Sequence, residues 1–208
     1  LMEKWGFDPV PDEELPLMSG VFNVPIYGIT RWGDLFNSRQ KLALITFVEK
    51  VRQAYVGIRN SALGIGENPN FQPLTPNSEE YAKAVVSYLA LTISRTSDFE
   101  TNLCRWHPQW EFIPNTFARQ ALPMSWDYAE LNPFSPVLTG TFESMLRQIT
   151  RVIDEASKAN NIYGTVSQSS LPVPIVTQAS ATSLPYPDNY FDAVITDPPY
   201  YDNVPYSY

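Results

Sequence analysis

The placement of proline limits this chain more than any other feature. A proline ring fixes φ near −65° and removes a backbone donor, so long helices and central strands form only where proline is missing. The 19 prolines of the 208-residue chain gather near its start, between 69 and 76, between 108 and 136, and after Leu171. Regular structure is therefore expected in the stretches between. Over 34–58 no proline occurs, and Leu35, Leu42, Ile45, Val48, Val51 and Tyr55 recur at spacings of three, four and seven. That period predicts a long amphipathic helix, for which Asp34 is a candidate cap and Trp32 a hydrophobic staple. Asn77-Ser78-Glu79-Glu80 has the form of a capping box and predicts a second helix over 78–94. Phe142, Met145, Leu146, Ile149, Val152, Ile153 and Ala156 predict a third over 141–159, ended by Asn160-Asn161. A short helical stretch is also expected near 115–121.

Residues 1–33 mix Gly and Pro with Trp5, Phe7, Phe22, Tyr27 and Trp32, a pattern of turns and extended pieces that reads as a wrapping arm. Beyond Gly164 the character changes. The β-branched apolar runs over 173–177 and 191–196, bounded by Pro, Ser and Asp, predict two buried parallel strands. The expected architecture is thus a mainly helical region over 1–165, followed over 166–208 by part of an α/β sheet.

Composition bounds the function. With 44% apolar residues the chain can fill a sizeable core. The balance of 14 Lys+Arg against 22 Asp+Glu gives a net charge of −8, the wrong sign for neutralising phosphates unaided. The lone cysteine, Cys104, excludes an internal disulfide and a cysteine-rich metal site, which favours a reducing, cytoplasmic setting. Apolar stretches fall short of the roughly 20 residues that cross a bilayer, so no membrane partner is expected. Leu1 as first residue, and an end only a few positions after the strongest motif, lead us to expect a piece of a larger polypeptide.

That motif is Asp197-Pro198-Pro199-Tyr200, directly after the second expected strand. The carboxyl edge of a sheet is where open α/β folds bind ligands. An exocyclic aromatic amine is a poor nucleophile because its lone pair is delocalised into the ring. Hydrogen-bond acceptors must therefore aim it at an electrophile, and the Asp197 carboxylate and the Pro198 carbonyl are two such acceptors. The consecutive prolines stiffen the turn, and Tyr200 offers a ring face on which a flipped base can stack.

Asp197 to Tyr200 resembles the catalytic motif of amino-methyltransferases that modify adenine or cytosine in DNA, and aspartate at its first position favours adenine. The longer string from Phe191 to Val204, and Tyr27 to Gln40, are similar to a family of adenine-specific DNA methylases. The resemblance implies a Rossmann-like α/β methyltransferase sheet, S-adenosylmethionine as methyl donor, and DNA as substrate. It also implies partnership with the remaining segments or a further subunit of the enzyme. It places Tyr201, Asp202 and Asn203 on the substrate side. The stretch from Ala179 to Pro185 resembles the loop that contacts the cofactor adenine, which marks Ser180, Ala181 and Leu184; many relatives carry an acid where Ser180 stands. The Gly-rich turn that would hold the methionine end of the cofactor is missing. Leu63-Gly64-Ile65-Gly66 follows a helix rather than a strand, and in the resembled family that segment lies upstream. The isolated chain is accordingly expected to be an incomplete, inactive methyltransferase.

Other readings stand beside this one. The chain can be a non-catalytic module that binds nucleic acid or a partner subunit, and the same motif chemistry suits an RNA base or a protein glutamine amide. Asp-Pro-Pro-Tyr can also be only a rigid turn. Arg31, Trp32, Asp34, Arg39 and Gln40 can line a nucleic-acid channel, although caps and packing explain them as well. His107 has no Cys or carboxylate at ligand spacing and reads as structural, so no metal site is expected.

Overall fold

A computed structural model of the chain describes residues 5–18, 20–62, 78–119, 121–166 and 175–198. The first long helix, α1, spans Ser38–Ala62. Its start is set by Asn37, whose Oδ1 accepts hydrogen bonds from the Arg39 and Gln40 amides at 2.9 and 3.0 Å, while Gln40 Oε1 accepts from the Asn37 amide at 2.8 Å. This reciprocal arrangement satisfies three backbone donors that the helix leaves unpaired. The cap is therefore Asn37 and not Asp34, and the helix begins four residues later than its periodicity suggests. The Asp34 carboxylate instead accepts from the Thr30 and Arg31 amides and closes the 3-10 turn Trp32–Leu35.

Helix α2 spans Ser78–Ser97 and packs along α1. Its buried face carries small and hydroxylic residues, Ala82, Thr92 and Thr96. The two threonine hydroxyls donate to the carbonyls of Tyr88 and Thr92, each at 2.9 Å, so burial leaves neither unpaired. Glu79 and Glu80 stand in the first turn, where the helix dipole favours acids, and both pair with Lys83. Just past the last turn, the buried Asp98 accepts from the Phe117 amide at 2.7 Å and from Asn115 Nδ2 at 3.1 Å. The segment around 115–119 is thereby held in irregular conformation, and the short helix expected there does not form.

Helix α3 spans Phe142–Val166 and is capped by Thr141, whose Oγ1 accepts from the Ser144 amide at 3.3 Å. It runs through Asn160-Asn161 rather than ending there. Near its start Phe142 stacks on Phe47 of α1, with centroids 4.6 Å apart.

The described residues of the arm hold turns, 3-10 turns and isolated bridges and no strand. Leu15, Phe22, Val24, Leu35, Leu103 and Leu122 form the main core. Isolated bridges stitch it: Glu14 pairs with Arg31, and Phe22 pairs with Leu122. Gly33 sits where the arm doubles back, its amide donating to the Pro11 carbonyl at 3.0 Å; a Cβ there would lie 2.6 Å from that oxygen. A second, smaller core joins Phe99, Leu131 and Met145.

Compactness divides the chain into Leu1–Val152 and Ile153–Tyr208, with the division inside α3. The expected Rossmann-like sheet is not formed: the described residues hold helices, 3-10 turns and isolated bridges, and no strand. Where strands were expected, Ile175, Val176, Val194 and Ile195 are 83, 95, 70 and 96% exposed. Val173 lies outside the described residues. An apolar β-branched run becomes a buried strand only when flanking strands take its N–H and C=O groups, and no such strand is present among the described residues. No helix among them is long and apolar enough to cross a membrane.

Candidate functional site

The stretch 175–198 is shaped by two turns. In the first, Ser180 bridges Ser183, the Ser183 amide donating to the Ser180 carbonyl at 3.1 Å; Ser180 Oγ accepts from the Thr182 amide at 3.3 Å. This is the serine hydroxyl acting as a local turn-former. In the second, Asn189 adopts φ +60°, a left-handed conformation that asparagine tolerates better than most residues. That turn folds Tyr190 back onto Tyr186, with the rings stacked at 5.1 Å, and brings Phe191 edge-on to both at 4.8 and 4.9 Å.

Between the turns lies a hollow of about 370 Å³, lined among others by Ala181, Leu184, Tyr186, Asp188, Phe191 and Val194. Its chemistry is an aromatic wall with one carboxylate, on a segment that otherwise presents apolar side chains to solvent. Planar π systems favour offset stacking and edge contacts of this kind. The arrangement can hold a flat heterocycle, with Asp188 available to accept from an amine or a ribose hydroxyl.

Of the residues marked by sequence, Ala181 and Leu184 line the hollow, while Ser180 serves the turn at its edge. Asp197 and Pro198 are exposed, three and four residues beyond Val194 of the lining. Pro199, Tyr200, Tyr201, Asp202 and Asn203 lie outside the described residues. The sequence resemblance to a cofactor loop ran on through Pro187 to Asp192, but none of Tyr186, Asp188, Tyr190 and Phe191 was marked as a site residue. Their signal was present in the spacing of the three rings around Pro187-Asp188-Asn189, where a turn must bring positions 186 and 190 together.

The second expected group does not assemble into a channel. Arg31 Nη1 donates to the Asp12 carbonyl at 2.7 Å, Trp32 packs edge-on to Phe22 at the core, and Arg39 is bound to Glu130. These are structural tasks. His107 stacks on Phe112 at 5.4 Å, and its amide donates to the Phe112 carbonyl, which fixes the 107–112 turn.

No protein-family model matches the chain, and neither a curated protein nor a solved structure matches it.

Proposed function

We propose that this chain supplies the amine-binding segment of an S-adenosylmethionine-dependent methyltransferase acting on the exocyclic amine of adenine in DNA. The observation that carries the reading is the sequence Asp197-Pro198-Pro199-Tyr200 with Asp197 exposed to an incoming substrate. The Asp197 carboxylate accepts one N–H of the amine and the Pro198 carbonyl the other. Held this way, the nitrogen turns its lone pair out of conjugation and toward the electrophile. Proline rings on both sides of the 198–199 peptide restrict the rotation that would move these acceptors apart. S-adenosylmethionine would supply the methyl group on a cationic sulfonium, whose charge disappears as the methyl leaves. A carboxylate beside the reacting amine suits the positive charge that the nitrogen gains.

The hollow over 181–194 supports the cofactor part. Tyr186, Tyr190 and Phe191 offer faces and edges to an adenine ring, and Asp188 supplies the acid that Ser180 does not. Those residues fit the adenosine end alone. A second reading is favoured by the net charge of −8 and by the exposed pairs Ile175-Val176 and Val194-Ile195. In it the segment docks on a partner subunit and contributes no chemistry.

Two measurements separate them. Calorimetric titration of S-adenosylmethionine into the chain, repeated with Tyr186→Ala and Asp188→Asn, is expected to show binding that each substitution weakens at least tenfold. Absence of binding removes the cofactor assignment. Transfer of labelled methyl to duplex DNA, single-stranded DNA, RNA and protein, assayed with the chain extended through the neighbouring segments expected to complete the enzyme, is expected to favour DNA and to disappear in Asp197→Ala. Retained transfer in that variant would refute the role of the motif.

A further inference from the structure

A second cavity, of about 390 Å³, lies within the first compact unit and is independent of the methyltransferase reading. Arg39 and Gln40 of α1 line it on one side, Glu100 beyond α2 on another, and the loop with Glu130, Leu131 and Phe134 on a third. Its volume falls in the range of small-molecule sites.

The polar groups around it are unevenly satisfied. Arg39 is committed to Glu130, with Nε donating to Oε1 at 3.0 Å and Nη2 to Oε2 at 2.6 Å. Gln40 gives its carbonyl oxygen to the Asn37 amide as part of the helix cap. Glu100 is only 1% exposed and lines the cavity, yet its Oε1 has no hydrogen-bond partner among the described residues. Burial, and next the charge of Glu130, push its carboxyl up to about 8. A buried acceptor without a donor costs more than a typical hydrogen bond contributes, and natural interiors keep few of them. Two carboxyl groups, one cation already engaged, and apolar walls leave the cavity one positive charge short when Glu100 ionises. An anion would meet both acids and gain no free cation.

We propose that this cavity binds a small organic cation, a protonated amine or amidine on an apolar body, whose N–H donates to Glu100 while the body packs on Leu131 and Phe134. Binding draws Glu100 into its ionised form, so at neutral pH one proton leaves the carboxyl for solvent as the cation enters. Arg39 and Glu130, the other charged groups lining the cavity, stay paired with one another.

The probe is benzamidine, with the isosteric neutral benzamide as its control, titrated calorimetrically into the intact chain. Benzamidine is expected to bind at least tenfold more tightly than benzamide. Its apparent enthalpy should differ between phosphate and Tris by the amount that release of about one proton requires. Affinity should tighten close to tenfold from pH 6 to pH 7 and level off above pH 8. Glu100→Gln, which keeps the shape of the side chain, should lose at least tenfold in affinity; Phe134→Ala, at the exposed rim, should weaken binding severalfold without touching the core. Equal binding of the two probes, no binding of either, no proton release, or unchanged affinity in Glu100→Gln and Phe134→Ala would each overturn the proposal.

Discussion

Glu100 shows how a single buried acid couples this fold to pH. In the unfolded chain its carboxyl titrates near the ordinary value of 4.5, and in the folded chain near 8. Below the lower value both states hold the proton and nothing is lost. As pH rises toward the upper value the unfolded state gives up its proton and the folded state keeps it, so stability falls throughout the window between them. The expected loss is roughly 1 kcal/mol per pH unit in that interval. Glu100→Gln should remove this slope: urea titrations of the two proteins should nearly coincide at pH 4.5, with the variant increasingly the more stable toward pH 8. Parallel pH profiles would mean that the carboxyl is solvated. The residue scale is also where capping was only half legible. Asp34 and Asn37 are both good cap residues ahead of an apolar period, and the expectation fell on Asp34, whereas Asn37 caps the helix. What decides is that Asp34 is already spent on the Thr30 and Arg31 amides. Asn37→Ala should therefore destabilise by about 1 kcal/mol, read from the shift in the urea midpoint.

At the scale of elements, the three helices were legible because periodicity of 3.6 survives whatever surrounds it, and their centres were placed correctly. Their ends were placed unevenly: the start of α2 at residue 78 and the start of α3 within about one residue, the others further off. Helix α3 passes through Asn160-Asn161 because asparagine lowers helix propensity without forcing a stop, which a left-handed glycine or a proline would impose. The short helix expected near 115–121 lost to Asp98, whose carboxylate captures the Phe117 amide, a long-range competitor that local sequence does not reveal. The entry to α3 depends on Gly140, at φ +92°, where a Cβ would stand 2.6 Å from Phe99 Cγ. Gly140→Ala meets both a backbone penalty and a collision with a core ring. It should cost about 2–4 kcal/mol, a loss measured by chemical denaturation followed at 222 nm. A loss under about 1 kcal/mol would mean that Phe99 moves aside freely.

For the molecule as a whole, the misread part is instructive because its local pattern was sound. The runs over 173–177 and 191–196 have the composition of buried strands, but burial is a property of neighbours, and no neighbouring strand is present among the described residues. The candidate site inherits this. Ala181 and Leu184 were marked from sequence and line the hollow, whereas the ring cluster needed the turn at Asn189 to become visible. The contrast between the main core and these runs gives a direct test. Leu35 is fully buried with Phe22 and Val24, so Leu35→Ala should cost about 2–5 kcal/mol. Ile195→Ser and Val176→Ser replace side chains that are almost wholly exposed, and each should change stability by no more than about 0.5 kcal/mol. The two sets are compared by the midpoint and slope of urea unfolding. If the serine variants fall with Leu35→Ala, the apolar runs are covered in solution and the hollow beside Val194 must be reshaped with them. If they do not, the runs stay exposed in solution, as the docking reading proposed for this segment requires.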